Sequence, residues 1–255
     1  MSVEPITPTA PRAAGRTVFT QTWSRLTFLH WAVEPDRVAP YLPRGVRPDV
    51  IDETTYVGLI PFRMRSIGLF GAPTVPWLGS FCETNVRLYS VDAAGRRGVV
   101  FVSLDASRLA TVLVARATGL PYVWSRMRYR RRGAQITYTS KRLRCPPPPA
   151  TPLAPQCDPA TPRSVIRVRV DAPLDPGTRE HFLTARWGLH AAVPGGRAVY
   201  WPNEHPQWPL YAATLEHLDD QILAAAGFGD LTARAPDSVL FSPGVDVRFG
   251  PRRSA

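Results

Sequence analysis

Three side chains in the stretch 80–91 are of types that could do chemistry together. In S-F-C-E-T-N-V-R-L-Y-S-V, Glu83, Asn85 and Arg87 fall two residues apart. A strand sends alternate residues to opposite faces. The three therefore share a face with Phe81 and Tyr89, while Cys82, Thr84, Val86 and Leu88 take the other. One row then offers a carboxylate as acid or base, an amide as neutral hydrogen bonder, and a guanidinium fork suited to an anion. The row either meets water or lines a cavity. Its aromatic frame, and the following run G-V-V-F-V-S-L that is apolar on both faces, put the strand mid-sheet and favour the cavity. Glu83 reads equally as a general acid or base raised toward neutrality by burial, and as a structural carboxylate paired with an arginine. Four strand residues put Arg87 roughly 13 Å from Glu83. Arg87 therefore takes another acid, such as Asp105, or an anionic ligand. Asn85 is the hydrogen-bonding spacer between them.

The elements that must hold this row are mostly strands. Aromatic and β-branched runs predict strands over 22–33, 46–51, 55–64, 98–104, 124–132, 134–144, 165–170 and 239–249, with hairpin turns at 92–98 and around Gly133. A hairpin is expected across 187–202, and a strand between His205 and Leu218. One helix is expected from Ser107 to Thr118, capped by Asp105 or Ser107 and ended by Gly119 and Pro121. Shorter helices are expected after Pro35, over 178–186 and before Gly227. Arg116 falls in the last turn of the main helix, where it either complements the helix dipole or reaches a ligand. His205, in the rigid loop H-P-Q-W-P-L, is a better binding candidate than His30 in mid-strand. The run R-M-R-Y-R-R-R (126–132) reads as a solvated hairpin, with phosphate contact as the lesser alternative.

Composition bounds the rest. A chain of 255 residues with 44% hydrophobic and 20% charged content suits a globular protein with a full core. We read 1–17 as a disordered tail, 18–250 as one domain, and the Pro-rich 145–163 as a surface loop within it. The net charge of +11 raises the expectation of an anionic partner. Three cysteines without ligand spacing, and an N-terminus without an apolar leader, point to the reducing cytoplasm and to no metal. No apolar run is long enough to span a membrane. No phosphate loop or nucleophile elbow is present, and no cofactor is expected.

Several motifs taken in order resemble the YqjF-like family of uncharacterised bacterial proteins. They are F-L-H-W, L-P-R-G-V, F-C-E-T-N-V-R-L-Y, V-F-V-S-L-D-A, L-P-Y, F-L-T-A-R-W-G-L, H-P-Q-W-P-L and S-P-G-V-D-V, spanning about 20–250. The resemblance implies the acetoacetate decarboxylase-like fold: mainly β (α+β), an antiparallel β-barrel-like sheet around an internal cavity, with a few short helices. It implies no established activity. The decarboxylase forms a Schiff base through a lysine in a Gly-Phe-Pro-Lys-Lys segment. The similar segment here is Gly119-Leu120-Pro121-Tyr122-Val123, so both lysine positions are lost, and Lys141 is the chain's only lysine. Tyr122 either points its hydroxyl into the cavity in place of the lysine or covers the core. The resemblance further matches Glu83 to the decarboxylase's interior glutamate and Arg25 to its substrate-facing arginine.

The expected protein binds a small anionic organic molecule, a keto acid or related carbonyl compound, without Schiff-base chemistry. If it is an enzyme, the chemistry is acid–base. A non-catalytic ligand-binding or sensing protein is the alternative, and nucleic-acid binding through 126–132 a further one. A homo-oligomer is compatible with the chain.

Overall fold

The computed structural model describes residues 2–69, 79–116, 120–143, 161–193 and 197–255. The strands are β1 (Phe19–Val33), β2 (Val46–Pro48), β3 (Thr55–Leu69), β4 (Phe81–Asp92), β5 (Arg97–Ala106), β6 (Tyr122–Arg132), β7 (Gln135–Arg142), β8 (Arg163–Leu174), β9 (Gly188–Ala192), β10 (Ala198–Glu204), β11 (Leu210–Asp220), β12 (Ser238–Phe249) and β13 (Arg253–Ser254). The helices are α1 (Pro35–Val38), α2 (Leu109–Arg116), α3 (Thr178–Thr184) and α4 (Ile222–Ala225). All the strands belong to one 13-stranded sheet.

That sheet closes on itself twice. One circuit runs β5, β6, β7, β8, β11, β12, β1, β3, β4 and back to β5. The β10–β12 pairing closes a second circuit through β9, β5, β4, β3, β1 and β12. The strands common to both form a wall with core on either side. Phe28, Ile60, Phe81, Tyr89, Leu189 and Trp208 belong to one core. Leu29, Leu59, Val86, Leu88, Ile136 and Ile166 belong to the other. β4 lies in this wall between β3 and β5, so its polar row and its apolar row are both buried, facing different cores.

The sheet is not antiparallel throughout. β5 runs parallel to β6 and to β9. The chain leaves β5, crosses through α2 and returns along the same direction, which a tight hairpin cannot do. That crossover brings Tyr122 to the start of β6, beside Leu104 of β5.

Residues 2–17 correct the expectation of a disordered tail. Ala14 is buried. The Glu4 amide donates to the Gly95 carbonyl at 2.9 Å. Arg97 donates its Nε to the Glu4 carbonyl at 2.7 Å and its backbone N–H to the Glu4 carboxylate at 3.1 Å. A Pro/Ala/Thr-rich segment has little apolar surface to bury, but backbone groups and one carboxylate hold it to the body.

A bulge interrupts β1. Against β3 the register shifts by one residue between Ser24 and Leu29, while β12 keeps its register, with Ser24 facing Gly244 and Leu26 facing Ser242; Arg25 takes a left-handed φ of 57°. Strand alternation therefore resets between Trp23 and Leu26, and both side chains reach the same cavity. A Cβ on Gly244 would lie 2.1 Å from the Trp23 carbonyl oxygen, so only glycine lets β12 approach β1 here.

Neither expected cap serves α2. The Asp105 carboxylate binds Arg142 and Ser125, and the Ser107 hydroxyl accepts from the Cys82 amide at 3.0 Å. The Pro-rich stretch lies outside the described residues over 144–160, as do the loop at 70–78 and Gly119. Arg126, Arg128 and Arg130 are exposed, with Lys141 opposite Arg126. Among the described residues no helix is long and apolar enough to cross a membrane.

Candidate functional site

An inner cavity of about 100 Å³ lies against the polar row of β4. On that measure about 10–15 Å³ holds one water, so the space suits a molecule of several non-hydrogen atoms. Glu83, Asn85 and Arg87 all line it, as the two-residue spacing predicts. Tyr122 and His205 line it too, from β6 and from the loop before β11. Arg25 does not: its left-handed φ, at the shift in the β1–β3 register, resets the inward series from Trp23 to Leu26 and leaves Arg25 out of it. The side chain of Arg116 lies outside the described residues, although its backbone ends α2.

Glu83 is only 3% exposed, and among the described residues no cation lies within ion-pair distance. Burial pushes its carboxyl up to about 8, with Asp105 adding to the effect and a hydrogen bond from Tyr122 opposing it. Near neutral pH Glu83 is therefore mainly a neutral acid with a proton to donate. The Tyr122 hydroxyl donates to Glu83 Oε2 at 3.1 Å. Burial, then the neighbouring Glu83, holds the Tyr122 hydroxyl well above its usual range, so it stays protonated. Among the described residues no arginine pairs with Glu83.

Arg87, four residues along, has no carboxylate partner among the described residues. Asp105 is not available to it: Arg142 takes that carboxylate at 2.9 Å and Ser125 at 2.8 Å. Arg87 instead donates Nη2 to the Leu183 carbonyl at 2.6 Å and Nε to the Tyr89 hydroxyl at 3.2 Å. Its guanidinium also lies over Phe28 and Tyr89, 5.4 and 5.5 Å from the ring centroids. Tyr89 gives its own proton to Leu183 and sits 2.6 Å from His30 Nε2, which must then be the donor in that contact. Burial, followed by the charge of Arg87, holds His30 well below its usual pKa, so it is neutral. Arg87 is a buried cation fixed by neutral groups, with no carboxylate partner among the described residues.

His205 is stacked on Trp187 at 4.4 Å and tilted against Trp208 at 5.0 Å. Burial holds its pKa down to about 4, against a hydrogen bond from Nδ1 to the Pro206 carbonyl at 2.7 Å. Gln21 and His205 also line an outer groove of about 810 Å³, and so form the partition between groove and cavity.

Sequence reasoning missed Arg186 and Asn203, which also line the cavity. Arg186 is a lone charge inside the apolar run F-L-T-A-R-W-G-L, and that context was its available signal. It donates Nε to the Phe182 carbonyl at 2.7 Å and pairs with buried Asp49, which also accepts from Arg97 at 2.5 Å. Asn203 lies in W-P-N-E with nothing local to mark it. Ser90, His190 and Asp92 form a serine–histidine–aspartate chain at 2.8 and 3.3 Å. Ser90 is fully buried and lines neither space. Lys141 lines neither space, and among the described residues no group of three His, Cys, Asp or Glu is placed to hold a metal.

Comparison with known proteins agrees with this architecture. A family described as "uncharacterized conserved protein" (DUF2071) matches residues 20–246. The uncharacterized protein YqjF of Bacillus subtilis (strain 168) is 26% identical over 240 residues, covering 92% of both chains. An acetoacetate decarboxylase-like enzyme from Sphingomonas wittichii RW1 superposes with a TM-score of 0.63 at 12% identity, over 100% of this chain and 99% of that one. The enduracididine biosynthesis enzyme MppR, in complex with pyruvate, gives a TM-score of 0.57 at 12% identity, over 93% and 90% of the two chains. At these identities the structural likeness shows the acetoacetate decarboxylase-like fold.

Proposed function

The chain belongs to the DUF2071 family of uncharacterized conserved proteins, and we propose that it binds a small anionic carbonyl compound in the inner cavity and acts on it by acid–base chemistry, without a Schiff base. One observation carries this reading. The same cavity holds a buried acid with no cation and a buried cation with no acid among the described residues, at separate positions on one strand. Arg87 receives the carboxylate of the ligand as a charge-assisted hydrogen-bond donor. Protonated Glu83, oriented by the Tyr122 hydroxyl, donates to the carbonyl oxygen or takes part in proton transfer beside it. The pyruvate held by a neighbour of the same fold supports a ligand of this class.

No lysine stands among the described residues that line the cavity. The residues standing where the resemblance would put lysines are Tyr122 and Val123, and the single lysine, Lys141, lies on β7 away from the cavity. Incubation with acetoacetate and borohydride is expected to leave the intact mass unchanged. An adduct mapped to Lys141 would overturn this part of the reading. Arg87→Leu is expected to weaken acetoacetate or pyruvate binding about 10- to 150-fold, since a hydrogen bond to a charged group is worth about 1.5–3 kcal/mol. Titration calorimetry measures the loss, and unchanged affinity would remove Arg87 as the anion receptor.

A ligand-binding protein without turnover is the second reading, favoured by the same lack of a lysine among the described residues that line the cavity. Product analysis by NMR with acetoacetate separates the two. Binding without chemical change supports the second, and change that disappears in Glu83→Gln supports the first.

A further inference from the structure

We infer that the ligand is a hydroxylated short-chain carboxylate, because two buried amides, Asn85 and Asn203, face the cavity with no hydrogen-bond partner among the described residues. The inference rests on the anion-binding reading above and names the substrate class more narrowly.

Asn85 and Asn203 are each 5% exposed and line the cavity from β4 and β10. Both Oδ1 atoms are buried and unpartnered, and neither side chain bonds to another described residue. Buried amides are ordinarily satisfied, and an amide needs a donor for its oxygen as well as an acceptor for its nitrogen. His205 adds a third unmet acceptor. Its Nδ1 donates to Pro206, so in the neutral ring Nε2 is a bare lone pair. That atom finds no donor among the described residues, and the Arg186 carbonyl beside the ring can only accept.

Arg87 can serve an oxyanion and Glu83 a carbonyl, and Arg186 Nη2 and the two amide nitrogens are further donors that such oxygens can meet. The three acceptors need a hydrogen from the ligand. A carboxylate and a ketone carry no hydrogen to give, so a simple keto acid leaves all three acceptors bare. A hydroxyl gives one hydrogen bond and accepts others, which is the complement of an amide. With about 100 Å³ available, the fit is to a chain of three or four carbons bearing one or two hydroxyls.

Calorimetric titration of the unmodified protein with butyrate, acetoacetate, 3-hydroxybutyrate and glycerate tests this. We expect a hydroxylated acid to bind at least tenfold more tightly than butyrate and acetoacetate. Asn203→Leu and Asn85→Val are expected to bring that preference close to one. If all four acids bind the unmodified protein equally, the hydroxy-acid inference falls and the anion-binding reading stands. If none binds, the anion-binding reading falls and this inference with it. The four-acid series uses the unmodified protein alone, so its outcome does not depend on whether the substituted chains fold.

Discussion

Replacing Glu83 with glutamine is expected to remove a fall in stability between about pH 4.5 and pH 8, and to abolish turnover. The folded carboxyl titrates at about 8 because burial disfavours its charge, whereas an unfolded glutamate titrates near 4.3. Below the lower value both states are protonated and there is no penalty. As pH rises between the two, the unfolded chain ionises and the folded protein does not, so stability is lost. Above about 8 both are ionised and the loss levels off. The gap amounts to on the order of 5 kcal/mol. Glutamine keeps the shape and cannot ionise, so the variant gains on the parent by that amount toward pH 9 and by little at pH 4. Asp220, raised by burial to about 6, produces a fall of its own in both proteins. The difference between two series of urea melts therefore isolates Glu83. Parallel series across this range would mean that Glu83 is ionised in the folded protein, and its role as an acid would be lost.

Asp49→Asn is expected to cost about 3–5 kcal/mol, the usual penalty for leaving a buried ion pair half made. Asp49 is 2% exposed and balances two guanidiniums, accepting from Arg97 at 2.5 and 2.6 Å and pairing with Arg186. Asparagine fills the same volume but leaves both cations without a counter-charge. Arg97 also holds Glu4, so the N-terminal segment should loosen, while Arg186 carries the disturbance to the cavity wall. Urea denaturation at pH 7 measures the cost, and limited proteolysis near Glu4 reports the loosening. A loss below about 1 kcal/mol would show that water already screens the cluster.

How far the sequence reaches into this site depends on distance along the chain. The polar row of β4 was legible because alternation is a local property: Glu83, Asn85 and Arg87 share a face in any extended strand. The predominance of strands was likewise read from residue types. The family was legible too, since its motifs are short and keep their order. Partnership was not. Asp105, the acid expected for Arg87, binds Arg142, because the β5–β6 and β6–β7 pairings carry Arg142 to it across two strands. Arg25 left the cavity series because one bulge shifts every later residue of β1 to the other face, and the glycine that permits the bulge is far away at Gly244. Tyr122 meets Glu83 only through the parallel crossover after β5. Asn203 and Arg186 enter the cavity only because the sheet closes a second circuit through β9 and β10. Residue type and period determined which groups this protein has to use. Which of them face one another, and which are left unpaired among the described residues, was decided by strand register and sheet closure, which depend on contacts between segments far apart in the chain.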